Sequence, residues 1–285
     1  MENMDLVIRG GLLVDERRVR LLDLGIRAGR VAAIGRDLQG TETLDVPGCY
    51  VFPGLVDPHV HLSLHVGDLV SADDFCSGTV AAACGGVTTL LDFTGNTRGE
   101  SLAEALRARV AEARGRLAVD LGLHLTLADA SPAALAVLPA LAAAGHTSAK
   151  LYMAYDALRL DDGEMLAALA ACRDAGMLPM VHAENYHAAA YVASRLLAEG
   201  CTAPRYQPDS RPALVEAEGT HRVLALAALT GAPLYLAHIS CRESLAELAA
   251  ARARGQAVAA ETCPHYLTLD RTRLEAPGPE GARYV

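Results

Sequence analysis

The segment Thr-Ser-Ala-Lys-Leu-Tyr-Met-Ala-Tyr, residues 147–155, is a short apolar run between two alanine-rich stretches, residues 133–144 and 163–175. A run of this length between helix-forming stretches predicts a buried β-strand, which we place at residues 148–152. The same alternation of short apolar runs and alanine-rich stretches extends on both sides of the segment, from residue 50 to residue 263. The sequence therefore predicts an α/β protein built from βα units around a parallel sheet.

The number of βα units distinguishes between the possible α/β folds. Helices are predicted at 101–116, 133–144, 163–175, 213–229 and 244–254, and strands at Val51–Val56, Val87–Phe93, Val119–Leu125, Ser148–Tyr152, Leu178–His182, Pro233–His238 and Ala257–Cys263. Seven such strands favour a (β/α)8 TIM-type barrel over an open doubly wound sheet. No G-x-G-x-x-G motif or P-loop indicates a nucleotide site. Since no eighth strand or closing helix follows, we expect a barrel that lacks its last strand and is incomplete at the C-terminus.

The first fifty residues have a different pattern, with short β-type runs broken by glycine, aspartate and arginine. We predict two domains: residues 1–52 as a small antiparallel module that is part of a β-sandwich, and residues 53–285 as the barrel.

Composition excludes several classes of function. The net charge of -9 argues against nucleic acid and anionic membranes as partners, and the 52% of hydrophobic residues argues against disorder. No apolar run reaches the roughly 18 residues of a membrane span, and the N-terminus does not have the pattern of a signal peptide. Seven cysteines without a C-x-x-C pair are typical of free thiols in a reducing compartment, so we expect a cytoplasmic protein.

Lys150 is the only lysine among the 25 lysine and arginine residues, and it lies in a predicted buried strand. A buried lysine can lose its proton and react as a nucleophile, whereas arginine stays charged. The alternative is compositional: an arginine-rich chain can retain one lysine by accident.

Four histidines come at the ends of predicted strands, where (β/α)8 enzymes build their active sites. His59 and His61 follow the first strand, and side chains two residues apart in an extended segment point the same way, so both can bind one ion. His182 ends the fifth strand and His238 ends the sixth. Each histidine alone could be structural, but four at strand ends, with Lys150 at the end of the fourth strand, indicate a metal centre.

The chain resembles the cyclic amidohydrolases, and within them the dihydropyrimidinase/D-hydantoinase branch, from about Leu6 to its last residue. The motifs that carry the resemblance are PGLVDPHVH (53–61), SADDF (71–75), GGVTT (85–89), KLYMAY (150–155), HAEN (182–185) and ETCPHYL (261–267).

The resemblance implies a centre of two divalent metal ions, usually zinc, in which CO2 has converted the Lys150 amine to a carbamate that bridges the ions. His59 and His61 would bind the first ion, and His182 and His238 the second. A hydroxide that bridges the metals would hydrolyse a cyclic amide or imide, such as a 5,6-dihydropyrimidine or a hydantoin, to an N-carbamoyl amino acid. Tyr155 matches a family tyrosine that hydrogen-bonds the developing oxyanion. Family members are usually tetramers or dimers, so the full-length form is expected to be a homo-oligomer.

The sequence departs from the family pattern in one residue, and several alternative functions remain open. The family's aspartate at the end of strand eight, a metal ligand and proton shuttle, has no counterpart, so we expect this chain to be weakly active or inactive. Dihydroorotase and allantoinase are alternative activities, although Ser63 stands where the dihydroorotase motif has arginine. A dihydropyrimidinase-like scaffold without catalysis and a truncated fragment are the alternatives that are not enzymes.

Overall fold

The computed structural model describes residues 3–284, whose contacts form two compact units. Among the described residues, the first unit comprises 3–57 and 82–89, and the second comprises 58–81 and 90–284. No helix among the described residues is long and apolar enough to cross a membrane.

The first unit contains two small sheets. Its strands are β1 (Met4–Arg9), β2 (Leu12–Val14), β3 (Val19–Leu21), β4 (Asp23–Arg27), β5 (Arg30–Gly35), β6 (Gly40–Asp45) and β7 (Tyr50–Val51). The sheet orders are β5-β4-β1-β6 and β3-β2-β7. The pairs β2–β3, β4–β5 and β1–β4 are antiparallel, whereas β1–β6 and β2–β7 are parallel, so the sheets are mixed and not purely antiparallel as predicted. That residues 1–52 form part of a β-sandwich domain stays a prediction.

The large sheet has seven strands in the order β16-β15-β14-β13-β12-β11-β8. Its strands are β8 (Leu55–Asp57), β11 (Val87–Phe93), β12 (Asp120–Thr126), β13 (Ser148–Tyr152), β14 (Leu178–His182), β15 (Leu234–Leu236) and β16 (Val258–Ala260), and a hairpin of β9 (His65–Val66) and β10 (Leu69–Val70) lies outside it. The pairs from β12 to β16 are parallel. The predicted fold class, a TIM-type barrel without its last strand, is confirmed, and no eighth strand joins this sheet within residues 3–284.

Nine helices alternate with these strands in the described chain: α1 (Phe75–Cys84), α2 (Leu102–Ala113), α3 (Pro132–Leu135), α4 (Leu138–Ala143), α5 (Asp162–Asp174), α6 (Tyr186–Ala198), α7 (Gln207–Ser210), α8 (Ala213–Thr230) and α9 (Arg242–Ala253). The single helix predicted at 133–144 is two short ones, because Pro139 lies in the first turn of α4 and cannot donate a backbone hydrogen bond to the turn before it. The predicted strand Val51–Val56 is likewise interrupted: β7 ends at Val51 and β8 begins at Leu55, with Pro53 between them.

The two faces of the large sheet have different roles. Side chains alternate along a strand, and one face contributes the fully buried Leu125, Leu151, Val181 and Leu236 to an aliphatic core that also includes residues of α2, α5, α8 and α9. The other face carries a row set by the strand register: Thr126, Lys150, Met180, Tyr235 and Ala259. Lys150 therefore points away from the aliphatic core, toward the face on which polar groups collect.

We expect Gly219→Ala to destabilise the protein. In most helices this change stabilises by about 1 kcal/mol, but a Cβ on Gly219 would lie 2.7 Å from the backbone nitrogen of Glu184 and 2.8 Å from the carbonyl carbon of Ala183. Overpacking against backbone atoms costs about 1–3 kcal/mol, which exceeds the helical gain.

Denaturant unfolding of both forms measures the difference. Gly163→Ala in α5 is the matched control, because the only neighbour of its new Cβ is a side-chain oxygen of Asp161 at 3.3 Å, and a change below about 1 kcal/mol is expected there. Equal effects at the two positions would contradict the close approach of α8 to residues 183–184.

Candidate active site

The four strand-end histidines meet in one cluster. The ring centroids of His59 and His61 are 5.2 Å apart, those of His182 and His238 are 4.8 Å apart, and the His59–His238 distance of 5.5 Å links the two pairs. The ring of Phe93 lies 4.8 Å from that of His59 and 4.6 Å from that of His61. Residues that are up to 179 positions apart in the chain are thus neighbours, because the ends of parallel strands share one edge of the sheet.

Lys150 lies beside this cluster with its amine unsatisfied. The residue is 1% exposed, and its Nζ has no hydrogen-bond partner. The nitrogen is 5.5 Å from the Phe93 ring centroid and 5.2 Å from that of Tyr152. Burial lowers the pKa of Lys150 to about 7, against the smaller opposing effects of Glu261 and Cys263. A substantial fraction of this lysine is therefore a neutral amine near pH 7.

Glu261 contacts His59 from across the site. It follows β16, and its Oε1 accepts a short hydrogen bond from Nδ1 of His59, while its Oε2 accepts one of 2.9 Å from the Tyr235 hydroxyl. Burial alone would raise the pKa of Glu261, but the hydrogen bonds and the positive charges of His59 and Lys150 lower it. Glu261 is thus an anion that holds Nδ1 of His59.

His182 has an equivalent arrangement with a different outer partner. Its Nε2 is 3.2 Å from Oε2 of Glu184, and Arg211 donates a short hydrogen bond to the same carboxylate oxygen. On the other side of the ring, Nδ1 of His182 is 3.1 Å from Nε2 of His238. These two nitrogens converge on one point in the site.

The four histidines are not equally basic. Burial, reinforced by the charges of neighbouring groups, lowers the pKa of His61 to about 4 and that of His238 to about 2. Burial also lowers the pKa of His182, against the opposing effect of its bond with Glu184. Three of the histidines are consequently neutral at pH 7, which is the form that binds metal ions.

A cavity of about 660 Å³ opens on one side of the site. Tyr155, His182, Glu184, Arg211, His238 and Tyr266 are among its lining residues. Tyr155 has a backbone φ of 73°, in the left-handed region that residues other than glycine seldom adopt, and its ring is 5.0 Å from that of His182. Burial raises the pKa of Tyr155, so its hydroxyl stays protonated and can donate a hydrogen bond. A second cavity, of about 650 Å³, is lined by His61, Ser63, Phe93 and others.

The structure brings together every residue that the sequence singled out: His59, His61, Lys150, His182 and His238, with Tyr155 at the cavity wall. Three contributors were missed. Glu184 had a local signal, since it lies two residues after His182 in the extended segment. The roles of Glu261 and Arg211 depend on contacts with His59 and Glu184, which are 202 and 27 residues away in the sequence. Within residues 3–284, no group of three or more His, Cys, Asp and Glu side chains could by itself hold a metal ion. A metal in this site would therefore also need a ligand from another group, and Lys150 is the one that the cluster surrounds.

Replacing Lys150 by Met should remove a pH-dependent destabilisation of the chain without metal and CO2. The folded-state pKa of about 7 lies below the ordinary value of 10.5, so between these values the unfolded state binds more protons and the unfolding free energy rises with pH. Below pH 7 the penalty of charging the buried amine is fully present, and above about pH 10.4 it has vanished. Its size is on the order of 5 kcal/mol.

Urea unfolding of the wild type and Lys150→Met at pH 6, 8 and 10 checks this. The difference between the two proteins should be largest at pH 6 and should shrink toward pH 10, since all other groups are common to both. Parallel pH profiles would show that the amine is not desolvated.

Comparison with known proteins places this site in a family. The model of the amidohydrolase family matches residues 50–269. The D-hydantoinase of Ralstonia pickettii is 45% identical over 99% of this chain, and the D-phenylhydantoinase of Escherichia coli O1:K1 is 40% identical over 99% of it. The crystal structure of dihydropyrimidinase from Brevibacillus agri NCHU1002 superimposes with a TM-score of 0.96 at 42% identity over 99% of the chain. The chain spans 62% of the length of each of these proteins. On the strength of the family match and the strand-end site, this chain belongs to the amidohydrolase family.

Proposed function

We propose that the site holds two divalent metal ions, with zinc as the preferred ion, and hydrolyses a cyclic amide or imide to an N-carbamoyl amino acid. Metal position 1 consists of His59 and His61, and metal position 2 of His182 and His238, with a carbamate on Lys150 between them. The buried, unpaired amine of Lys150 among these histidines is the observation that carries the proposal.

The donor geometry of position 2 fits a tetrahedral ion. Two nitrogens that each lie about 2.0–2.1 Å from zinc at tetrahedral angles are separated by about 3.3 Å. Nδ1 of His182 and Nε2 of His238 are 3.1 Å apart. At position 1, Nδ1 of His59 bonds to Glu261, which would orient the ring toward an ion. Two histidines at each position, supplemented by one oxygen of a shared carbamate, give each ion three protein ligands.

The chemistry of Lys150 supports the carbamate. A neutral amine attacks CO2, forms an N–C bond and loses a proton, which leaves a carbamate anion. Burial supplies the neutral amine, and Nζ has no hydrogen bond that the reaction would have to break. The anion would replace an unfavourable buried cation by a ligand that two cations stabilise.

The protein groups around the cavity suit ring opening. When bound, the two ions would lower the pKa of a water molecule and polarise the substrate carbonyl. Tyr155 would donate a hydrogen bond to the carbonyl oxygen as negative charge develops on it. Water adds to the carbonyl carbon, the ring C–N bond breaks, and the ring nitrogen takes a proton. From hydantoin or 5,6-dihydrouracil the product is an N-carbamoyl amino acid.

The relatives favour this substrate class over the alternatives. Those compared are named for hydantoin and dihydropyrimidine hydrolysis, and Ser63 replaces the arginine that dihydroorotase motifs carry at this place. Homo-oligomer formation stays a prediction.

The test is metal- and CO2-dependent ring opening by the purified chain. We expect two zinc ions per chain by elemental analysis after loading with zinc and bicarbonate, a carbamate signal in 13C NMR with labelled bicarbonate, and slow opening of hydantoin or 5,6-dihydrouracil that a chelator abolishes. A non-catalytic scaffold would bind no stoichiometric zinc. Turnover that a chelator leaves unchanged would contradict the proposed metal-dependent reaction.

Lys150→Arg should lose one of the two ions, because guanidinium does not form the carbamate. Far-UV circular dichroism should show a folded chain, and Lys150→Met serves as the uncharged companion in case a buried guanidinium prevents folding. Unchanged metal content in both variants would rule out Lys150 as the bridge.

A further inference from the structure

We propose that His124 and Arg109 are positioning residues for the His59–His61 pair. They bond to the two backbone carbonyls that flank this pair, those of Pro58 and Leu62, and thereby fix its place at the edge of the sheet. The inference rests on the proposed function for its consequence for zinc, whereas the two bonds act in the chain without metal.

The segment that carries this pair lies beyond the end of its strand. β8 ends at Asp57, whereas His182 is the last residue of β14 and is paired within the sheet. The register of the sheet therefore places His182 but not residues 58–62. A backbone bond from the N–H of Val60 to the Leu91 carbonyl, at 3.0 Å, joins this segment to β11. Side-chain contacts at both ends of the segment supply the remaining constraints.

His124 joins the first end of the segment to the strand of Lys150. This residue of β12 is 4% exposed, and its ring nitrogens lie 2.9 Å from the Pro58 carbonyl oxygen (Nε2) and 2.7 Å from Oγ of Ser148 (Nδ1). Because a carbonyl can only accept, Nε2 carries the hydrogen, and in the neutral ring Nδ1 accepts from the Ser148 hydroxyl. Ser148 lies two residues before Lys150 in β13, on the same face of the sheet. Two hydrogen bonds thus link the proposed bridging residue's strand to the histidine segment.

Arg109 holds the other end through a buried ion pair. Its side chain, on α2, is 12% exposed, and Nε and Nη2 donate to Oδ2 of Asp92 at 2.9 and 2.5 Å. Nη2 also donates a short hydrogen bond to the Leu62 carbonyl, and the guanidinium carbon lies 4.5 Å from the ring centroid of Phe75. A planar guanidinium that is fixed by one carboxylate presents its other hydrogens in set directions. The Leu62 carbonyl therefore has a rigid partner.

The polar character of both contacts indicates more than space filling. A buried imidazole and a buried ion pair each lose hydration, so apolar side chains would fill the same volume at a lower cost. Here both polar groups direct a hydrogen at a main-chain carbonyl next to one of the two histidines. Each such bond restricts the backbone torsions that aim the neighbouring ring. The ring of His61 is accordingly stacked on Phe93, with centroids 4.6 Å apart and an interplanar angle of 25°.

Amide hydrogen exchange of the metal-free chain measures the hold on the segment. His124→Leu removes the bond to Pro58, and we expect the N–H of Val60 to exchange about 5–10-fold faster than in the wild type. The N–H of Ala237, bonded to the Val181 carbonyl at 3.0 Å, reports on the large sheet and is the internal reference. His124→Gln retains an N–H donor in place of Nε2 and should restore most of the protection.

Two further variants separate this local effect from a general loss of stability. Ser148→Ala removes the hydroxyl that donates to Nδ1 of His124, so it should speed the exchange of Val60 by a smaller factor, and it takes the place of His124→Leu if that variant does not fold. Gln256→Leu is the matched control, because it breaks a bond of the same kind, from Nε2 of Gln256 to the Leu224 carbonyl at 2.7 Å. It should leave the ratio of the two exchange rates unchanged.

The zinc content of the same variants tests the positioning role. At a chelator concentration that leaves two zinc ions on the wild type, with saturating bicarbonate, His124→Leu and Arg109→Met should each retain about one. The reason is that loss of an outer partner weakens metal binding by about 10–100-fold. His124→Gln and Gln256→Leu should retain both ions, which a role in stability alone would not produce.

The outcomes separate the two proposals. Equal exchange of Val60 in the wild type and in the His124 and Ser148 variants would overturn the inference, whether or not zinc binds. Faster exchange with both zinc ions retained would overturn the positioning role and leave the proposed metal site intact. A wild type that binds no stoichiometric zinc would refute the proposed function, and the exchange rates would still decide whether the two side chains hold the segment.

Discussion

The burial of a single amine is the constraint on which the site depends. Lys150 is held by β13, whose neighbours on both sides are parallel strands, and at 1% exposure its Nζ has no hydrogen-bond partner in the protein. A charged ammonium in this position would be strongly disfavoured. The fold can relieve the conflict in two ways, by releasing the proton or by converting the amine to an anion that cations stabilise. Both are compatible with the metal site that we propose, because neutral histidines lie beside the same amine.

Two residues of the site have strained backbone conformations. His238 has a φ of 37° and Tyr155 a φ of 73°, conformations that cost of order 1–3 kcal/mol in residues other than glycine. Beyond His238, the carboxylate of Glu216 in the first turn of α8 accepts hydrogen bonds from the backbone N–H and the hydroxyl of Ser240. The same helix contacts the segment after His182. The backbone N–H of Asn185 donates a hydrogen bond to the Val215 carbonyl, and Gly219 lies close to the backbone of residues 183–184. One helix therefore contacts both of the segments that follow these histidines.

Sequence patterns predicted the parts of this arrangement that depend on local periodicity. Strands β11, β13 and β14 have the predicted bounds, and the parallel topology that these strands imply is enough to bring His59, His182 and His238 to one edge. Local periodicity did not predict the contacts of Glu184, Glu261 and Arg211. The bond of His59 to Glu261, for example, joins residues that are 202 positions apart and depends on the orientation of both side chains. Proline explains the local failures, since Pro53 and Pro139 interrupt elements that hydrophobicity alone would continue.

The choice of lysine within an arginine-rich chain follows from the same electrostatics. Arginine at position 150 would keep its charge at any accessible pH and would place a permanent buried cation beside the four histidines. A shorter or apolar residue would leave the two histidine pairs without a shared ligand, and within residues 3–284 no third His, Cys, Asp or Glu completes either pair as a metal site. Only a residue that is long enough to enter the cluster, neutral when desolvated and able to acquire a negative charge meets all three conditions. Since these conditions come from the burial of the strand, the chemistry that we propose for the site follows from where the sheet places that one side chain.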